Sequence, residues 1–255
     1  MSLNAIKQVL FTKDEIQNDI KNNLLSQWKI KSYNDFRENI LDDNRPFPCY
    51  FAVEAEKRGH SRYIFSESAY NEDELLKVRD GIYEYIKTYR TISKRTTLVI
   101  FFKPSESALP SEAYKEQFWH VLNFLRENDP EPWVESIPED PYNSKWEFCF
   151  GGEPIFVVSR MPIYNARKSR YTNGGLEITL QPRGTLDDIT GDTKKGQQVR
   201  KVIRERLEAY DDVEIHPDIG DYGVEGAYEW KQYVLPERNE ESVMRCPITG
   251  AKLND

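Results

Sequence analysis

The segment Thr97-Leu98-Val99-Ile100-Phe101-Phe102 decides the fold class of this chain. Its residues are β-branched, aliphatic or aromatic, a composition that is typical of a buried strand. A long amphipathic helix is predicted just before it, because Asn71 and Glu74 provide a capping signal and apolar residues then recur at helical spacing through Tyr89. In front of that helix, Arg62 to Ser66 alternates weakly and is predicted to be a strand. The core of the fold therefore begins as strand, helix, strand.

A hairpin is predicted farther along the chain. The segments Trp146 to Phe150 and Ile155 to Ser159 have strand composition and flank the four-residue loop Gly151-Gly152-Glu153-Pro154. Two further strands are predicted, Leu176 to Leu180 and Glu229 to Leu235. A strand–helix–strand unit followed by a hairpin favours a mixed sheet over a doubly wound parallel sheet.

Helical periodicity predicts four longer helices that pack on this sheet, near residues 12–28, 71–90, 111–127 and 195–209. The first begins with the capping box Thr12-Lys13-Asp14-Glu15. A shorter helix is predicted from Ser32 to Leu41, and Pro46 to Ala52 leads into either a strand or a helix that ends at Gly59. We therefore expect an α+β protein with a mixed β-sheet and four or more helices.

The chain is predicted to form a single domain over residues 1–255. The best candidate for a linker is the proline-rich run from Asp129 to Pro141, but it contains Trp133 and Ile137, which a flexible connector would leave exposed. Within the domain we expect a helical N-terminal segment over 1–45, a core over 46–235 and a C-terminal tail over 236–255.

The acidic composition disfavours nucleic acid as a partner. The net charge is −8 with 31% charged residues, whereas binding to phosphate backbones requires a basic face. No apolar run approaches the ~18 residues that span a bilayer. The segment Met1 to Thr12 also lacks the apolar stretch and cleavage site of a signal peptide. We therefore expect a soluble, cytoplasmic protein with neither nucleic acid nor a membrane as a partner.

The three cysteines, Cys49, Cys149 and Cys246, are odd in number and widely spaced, with no Cys-x-x-Cys pair. This spacing predicts neither a disulfide framework nor a zinc site, so we expect free thiols in a reducing compartment and no metal site of the usual spacing. Cys49 lies between Pro48 and Tyr50 in an apolar context, for which a buried and inert thiol is the default interpretation.

The sequence contains no standard catalytic motif: no phosphate loop, no His-Glu-x-x-His and no Gly-x-Ser-x-Gly. It therefore identifies no catalytic residue and leaves open whether the protein is an enzyme. His216 lies in a loop after the last long helix, a place that often carries function, although a structural role is commoner for a single loop histidine.

The basic cluster Arg160, Arg167, Lys168 and Arg170, with Arg183 beyond the next strand, is more informative. Most such clusters are solvated faces. These arginines, however, fall between two predicted strands among tyrosines, where guanidinium forks could hold a carboxylate in a bidentate manner. Both interpretations stay open at this stage. The basic face of the last long helix, with Arg200, Lys201 and Arg204, is predicted to be solvated.

Several blocks together resemble the YqcI/YcgG family. They run in order from residue 47 to 233 and cover most of the chain: Phe47-Pro48-Cys49, Trp146-Glu147-Phe148 with Gly151-Gly152, Arg167-x-Ser169-Arg170, Gln181-Pro182-Arg183, His216-Pro217 with Gly220 and Gly223, and Glu229-Trp230-Lys231-Gln232-Tyr233. Some members of this family are haem-dependent oxygenases that hydroxylate guanidino nitrogens. The resemblance therefore implies haem b as a cofactor and a small guanidino or amino metabolite as the substrate.

The resemblance also implies roles for particular residues. Arg167 and Arg170 would hold the haem propionates or a substrate carboxylate, while Glu225 and Glu229 would pair with the substrate cation. In the haem-using branch a His-Pro pair precedes the arginine motif, and this chain has Met161-Pro162 there. Met161 therefore stands at the position of the iron ligand, and His216 and Cys49 are the alternative donors.

Two functions follow from this comparison. The first is a haem-dependent oxygenase that hydroxylates a nitrogen of a small metabolite. The alternative is a non-catalytic protein of the same fold that binds a small ligand and has lost the iron ligand. In either case we expect one concave site that brings together Cys49, Arg167, Arg170 and the segment near Glu229 to Tyr233.

Overall fold

The computed structural model describes residues 8–191, 193–240 and 245–248, and in this part of the chain six strands form one mixed sheet. The strands lie in the order β1-β2-β3-β6-β5-β4 across the sheet. Strands β2 and β3 are parallel, and the other neighbouring pairs are antiparallel. The bounds of the strands are β1 Phe11–Thr12, β2 Arg62–Ser66, β3 Leu98–Phe102, β4 Phe148–Phe150, β5 Glu153–Arg160 and β6 Glu177–Pro182.

Seven helices accompany the sheet in the described residues: α1 Lys13–Lys21, α2 Gln27–Ile40, α3 Tyr50–Arg58, α4 Glu72–Ile92, α5 Ser111–Glu127, α6 Lys194–Tyr210 and α7 Trp230–Tyr233. Short 3₁₀ turns occur at Lys168–Arg170 and Arg183–Thr185. The prediction of a single α+β domain with a mixed sheet and four or more helices is confirmed. In the described part of the chain, no helix is long and apolar enough to cross a membrane.

The main core lies on one face of the sheet. Along β5, Ile155 and Val157 are fully buried in this core, whereas the alternate residues Phe156 and Val158 are half-buried on the opposite face. This alternation follows from the two-residue period of a strand. Helices α4 and α5 cover the main core with their apolar stripes.

The opposite face of the sheet is covered unevenly. Over β2 and β3, helices α1 and α2 bury Tyr63, Val99 and Phe101 in a second apolar cluster with Phe36. Some aromatic rings in this cluster meet edge-on, as Phe36 and Phe101 do with ring centroids 5.8 Å apart, and others stack, as Tyr63 and Phe101 do. Over β5 and β6, the same face borders a cavity.

Two predicted helix boundaries needed correction. The single helix expected over 12–28 is two helices, because the chain turns after Lys21 and Asn23 adopts a left-handed conformation with φ of 55°. Trp28 therefore belongs to α2. The capping box between Thr12 and Glu15 is confirmed. The segment at Pro46 to Ala52 leads into helix α3, whose end at Gly59 has φ of 71°.

Two predicted strand features are also wrong. The hairpin loop between β4 and β5 is shorter than four residues: only Gly151 and Gly152 turn, with φ of 63° and 79°, as a tight hairpin turn requires. The segment Glu229 to Leu235 contains the helical turn α7 instead of a strand. Trp230 and Tyr233 are both fully buried, and a spacing of three residues puts them on one side of a helix but on opposite faces of a strand.

The predicted tail over 236–255 is only partly described, since residues 241–244 and 249–255 lie outside the described residues. Its described residues are in contact with the rest of the protein. Ile248 is buried in the main core, and Pro236 and Asn239 accept hydrogen bonds from the side chain of Arg167. Residues 1–7 of the predicted N-terminal segment also lie outside the described residues.

Candidate functional site

A cavity of about 350 Å³ lies between the sheet and helix α6, within the size range of small-molecule sites. Its floor lies on the sheet face that carries α1 and α2, at and beside the edge of the part that these helices cover. The floor residues are Val99 on β3, Thr179 and Gln181 on β6, and Phe156, Val158 and Arg160 on β5. The start of α3 and the segment before it provide a side wall with Phe47, Cys49 and Phe51.

Helix α6 forms the opposite wall. Its residues Val199, Ile203 and Leu207 recur every four positions, line the cavity and are only half-buried. The apolar stripe of this helix therefore faces the cavity instead of packing closely on the sheet. On the same helix, Arg200 Nε lies 2.8 Å from Asp221 Oδ1. Arg204 Nη2 lies 3.5 Å from the same oxygen.

An acidic cluster stands at the wall of the cavity where Glu229 and Arg183 line it. The guanidinium of Arg183 forms ion pairs with both Glu147 and Glu229, and its Nη2 atom lies 2.8 Å from Glu229 Oε2. Tyr233 donates a hydrogen bond of 2.8 Å to Glu229 Oε1. Both carboxylates are buried, so two acids share one arginine in a site with little water.

Burial raises the pKa of Glu229 to about 7, and the neighbouring Arg183 only partly opposes this rise. The cause is the loss of solvation of the charged form. A carboxyl group with this pKa changes protonation near neutral pH. A buried acid in a cleft whose pKa is shifted towards neutrality is typical of functional sites, because it can hold a proton or a cation.

Basic residues line another part of the cavity. Arg160 is almost fully buried, and its Nη1 atom bonds both oxygens of Glu177 at 3.0 and 3.2 Å. Arg170 lines the cavity as well, beside Ser169 and Asp211. Burial lowers the pKa of Arg170 to about 10, since the charged guanidinium loses solvation there.

Cys49 lies at the cavity wall, at the N-cap position of α3. Burial raises the pKa of its thiol, and the N–H groups of Ala52 and Phe51 in the first turn of α3 oppose that rise. All three cysteines are free: Cys149 is buried in the sheet, and Cys246 is half-buried near the end of the described chain.

The remaining predicted site residues lie away from the cavity wall. Met161 is fully buried in the main core, and its N–H donates to the carbonyl of Arg170. His216 is buried in its loop, where Nδ1 accepts a hydrogen bond of 3.1 Å from the N–H of Asp218. Glu225 is exposed on a surface loop. Arg167 is fully buried and bonds the carbonyl of Pro236 at 2.8 Å.

The structure therefore brings together only part of the predicted set: Cys49, Arg170, Glu229 and the neighbouring Gln232 line one cavity. The predicted solvated face of α6 is only partly confirmed: Lys201 is exposed, whereas Arg200 and Arg204 also line the cavity and pair with Asp221. Arg183 was predicted only as an outlying member of the basic cluster, and Glu147 had no predicted role. The only signal for Glu147 was its presence in a block that resembles the family. Among the described residues there is no cluster of acidic, histidine and cysteine side chains that could hold a metal ion.

Known protein sequences resemble this chain over most of its length. The sequence profile of the YqcI/YcgG family matches residues 36–249. The chain belongs to this family. The match contains every residue that lines the cavity, from Phe36 to Leu235. No solved structure matches the chain.

Three relatives of this YqcI/YcgG family member match it over almost their whole length. The uncharacterized protein YcgG of Bacillus subtilis (strain 168) is 37% identical over 231 residues, 89% of this chain and 90% of the relative. The uncharacterized protein YqcI of the same organism is 36% identical over 246 residues, 95% of each chain. A protein of Streptomyces lavendulae is 31% identical over 245 residues, 94% of this chain and 89% of the relative, and it bears the name "Putative N(omega)-hydroxy-L-arginine synthase DcsA".

Proposed function

We propose that this protein is a haem-dependent oxygenase that hydroxylates a nitrogen of a small guanidino or amino compound. Two findings support the proposal. The cavity combines apolar walls with a buried acidic cluster, and a relative of 31% identity is named for the synthesis of N(omega)-hydroxy-L-arginine.

The acidic cluster is the observation that carries the proposal. Glu147 and Glu229 share the single guanidinium of Arg183, so the cluster has one carboxylate more than it has cations. A buried charge without a partner destabilises a protein by several kcal/mol, on the order of the loss measured when one partner of a buried ion pair is removed. A proton or a cationic ligand next to Glu229 removes this cost. A guanidinium or ammonium group is therefore the kind of ligand that suits this wall.

One of the three candidate iron ligands is placed where it could hold a haem in the cavity. Of the candidate donors, Cys49 lines the cavity and Met161 and His216 do not, so Cys49 would hold the iron. The start of a helix favours a thiolate, because its N–H groups and dipole are positive there. Apolar residues such as Phe47, Phe156 and Ile203 would face the macrocycle. When bound, thiolate-ligated haem supplies the activation of oxygen or peroxide.

The chain's own residues supply the remaining requirements. Glu229 would hold the cationic nitrogen and accept its proton, and Tyr233 fixes the orientation of that carboxylate through its hydrogen bond at 2.8 Å. The apolar stripe of α6 would exclude water from the reacting nitrogen. With hydrogen peroxide as co-reactant the reaction is balanced, since an N–H bond becomes N–OH and water is released.

The test combines absorbance with product analysis. Protein expressed with a haem precursor should keep a Soret band after desalting, and it should convert L-arginine and peroxide to a product that has gained one oxygen. Cys49→Ser should abolish the band, whereas the control Cys246→Ser should keep it. Glu229→Gln should keep the band but lose at least about tenfold of the turnover, because a buried charge-assisted contact is lost. A haem-loaded protein that forms no hydroxylated product from guanidino or amino compounds would refute the proposal.

One observation favours the alternative, a non-catalytic protein that binds a small ligand. Burial raises the pKa of the Cys49 thiol, so this sulfur is a neutral thiol at neutral pH unless a metal displaces its proton. A colourless protein after expression with haem precursor, together with calorimetric binding of a small cation that Glu229→Gln removes, would support the alternative.

A further inference from the structure

Helix α6 is packed into the rest of the protein at its two ends. Within this helix, whose residues are all described, only Gly196 in the first turn and Tyr210 at the end are buried, whereas α4 has buried residues along its whole length. The backbone at Thr190 approaches Gly196 so closely that a Cβ atom has no room there. The ring of Tyr210 packs against Phe47, with ring centroids 5.6 Å apart. Both ends of α6 are therefore fixed.

The middle of α6 spans the cavity instead of a packed core. Val199, Ile203 and Leu207 line the cavity and are only half-buried. A segment with few buried apolar contacts opens at a lower free energy than the core of a protein does. The polar contacts at the side of the helix therefore determine how firmly its middle is held.

Asp221 provides two of these polar contacts. Its Oδ1 atom lies 2.8 Å from Arg200 Nε and 3.5 Å from Arg204 Nη2, on successive turns of the helix. The loop that carries Asp221 is itself bonded to the segment before β4, because Tyr222 donates a hydrogen bond of 2.8 Å to the carbonyl of Lys145. One carboxylate on a bonded loop therefore joins two arginines of the middle of α6.

The contacts at Asp221 are partly exposed to solvent. The side chains of Arg200, Arg204 and Asp221 are 27%, 43% and 38% exposed. Ion pairs with such exposure are screened by salt, and each shifts an equilibrium by up to about fivefold. A further hydrogen bond of 3.2 Å joins Arg200 to the carbonyl of Ile189, which precedes the helix and does not belong to the loop. The contact between α6 and the loop can therefore break while the core stays intact.

We propose that α6 is a lid over the cavity and that the ion pairs of Asp221 with Arg200 and Arg204 are its latch. A ligand enters when the middle of α6 moves away from the loop at Asp221, and the latch forms again when the lid closes. Because both ends of α6 stay fixed, the movement is a local opening of the helix. The inference concerns access to the cavity and requires neither haem nor oxygen chemistry.

The thiol of Cys49 can report this opening, because it lines the cavity. Cys149 is buried in strand β4 and reports global unfolding instead. The full chain without haem is treated with iodoacetamide at a single pH, and the alkylation of each cysteine is followed by peptide mass spectrometry. Alkylation is slow compared with helix and loop motions, so the rate at Cys49 measures the fraction of molecules with an open lid.

The variants differ in the carboxylate of the latch. Asp221→Asn should raise the alkylation rate of Cys49 about 3- to 20-fold, the combined effect of two partly exposed ion pairs, and leave the rate of Cys149 unchanged. Asp221→Glu keeps the carboxylate and should stay closer to wild type. The control is Glu205→Gln, which removes one negative charge from α6 at an exposed ion pair with Lys201 and should cause no change.

Salt gives a second measurement that needs no variant. Raising NaCl from about 0.05 M to about 1 M screens the latch, so Cys49 of wild type should react faster by a similar factor, while Asp221→Asn should hardly respond. If Asp221→Asn does not fold, the wild-type response decides, and a rate at Cys49 that is independent of salt contradicts the latch.

Three results would overturn the inference. The first is an equal alkylation rate of Cys49 in wild type and Asp221→Asn. The second is the same increase in Glu205→Gln, because the effect would then come from net charge. The third is a parallel increase at Cys149, because the variant would then expose Cys49 by global unfolding. Haem binding and turnover are not part of the assay, so its outcome is independent of the oxygenase proposal.

Discussion

Arg183 Nη2 lies 2.8 Å from Oε2 of Glu229, and the same guanidinium is also paired with Glu147. The two acids come from distant parts of the chain, one just before β4 and the other just before α7. Tyr222 covers the guanidinium, with Arg183 Cζ 4.2 Å from its ring centroid. The three charged groups at this wall are therefore held in place by one another. Their summed charge depends on whether Glu229 is protonated.

The first prediction concerns the pH dependence of stability. The pKa of Glu229 is raised from 4.5 to about 7, so between these values the folded protein keeps a proton that the unfolded chain has released. The free energy of unfolding should therefore fall as the pH rises through this window, by up to about 3 kcal/mol for this group. Glu229→Gln should remove most of this fall and raise the stability above pH 7.

Denaturant unfolding at several pH values between 4.5 and 8.5 measures this effect. The matched control is Glu225→Gln, the same change at an exposed acid outside the cavity. If Glu229→Gln follows the wild-type pH profile, the carboxyl group of Glu229 is not desolvated in the folded protein.

Much of the fold could be predicted because periodicity and caps are local properties. The strand Arg62–Ser66 and the start of helix α4 after Asn71 agree with the prediction. The break after Lys21 was missed because the apolar spacing of the first helix continues through Leu24 to Trp28, although Leu24 is exposed in the structure. Asn23, which adopts the left-handed conformation, is of a residue type that favours it. The helical turn α7 was missed because aromatic residues are also frequent in strands. It is the burial of both Trp230 and Tyr233, three residues apart, that indicates a helix, and the sequence does not show burial.

The site was less predictable than the fold. Which residues of the basic cluster line the cavity depends on the side of the turn Lys168–Arg170 to which each side chain points. Arg167 and Arg170 are three residues apart in one basic cluster, yet Arg167 bonds the tail and Arg170 lines the cavity. Their contacts depend on segments about 70 residues away, for example on Pro236, and no local pattern contains that information. Met161 could not be assigned either, because its position in the core depends on which face of the sheet it joins.

The second prediction separates the two arginines by stability. Arg167→Met should lower the free energy of unfolding by about 3 kcal/mol, because it leaves the buried acceptors at Pro236 and Asn239 unsatisfied. Arg170→Met should change it by less than about 1 kcal/mol or raise it, since the lost charge has no direct partner. Both variants lose one positive charge, so the difference between their free energies of unfolding, measured by chemical denaturation, does not come from net charge. Equal losses would mean that Arg170 is as much a structural residue as Arg167.

The third prediction concerns the iron ligand. Met161 is fully buried in the main core and does not line the cavity, so Met161→His should not strengthen haem binding. It should cost about 2 kcal/mol of stability, because it buries a polar ring in an apolar core. Haem titrations of wild type, Met161→His and Cys49→Ser measure the outcome by absorbance. Tighter binding by Met161→His with the spectrum of a histidine-ligated haem would place the iron at residue 161 and contradict the assignment to Cys49.

The last prediction tests the cavity itself with two neighbouring valines of β5. Val157 is fully buried in the main core, and Val158 is half-buried at the cavity floor. Val157→Phe should therefore lower the free energy of unfolding by about 1–3 kcal/mol, because a close-packed core has no room for a ring. Val158→Phe should change it by less than about 0.5 kcal/mol, because the ring can enter the cavity, and it should weaken the binding of every cavity ligand at least about tenfold by occupying that space. Thermal unfolding together with calorimetry on both variants gives the answer. A large loss of stability in Val158→Phe would mean that the floor is already packed, and unchanged ligand binding would place the ligand elsewhere.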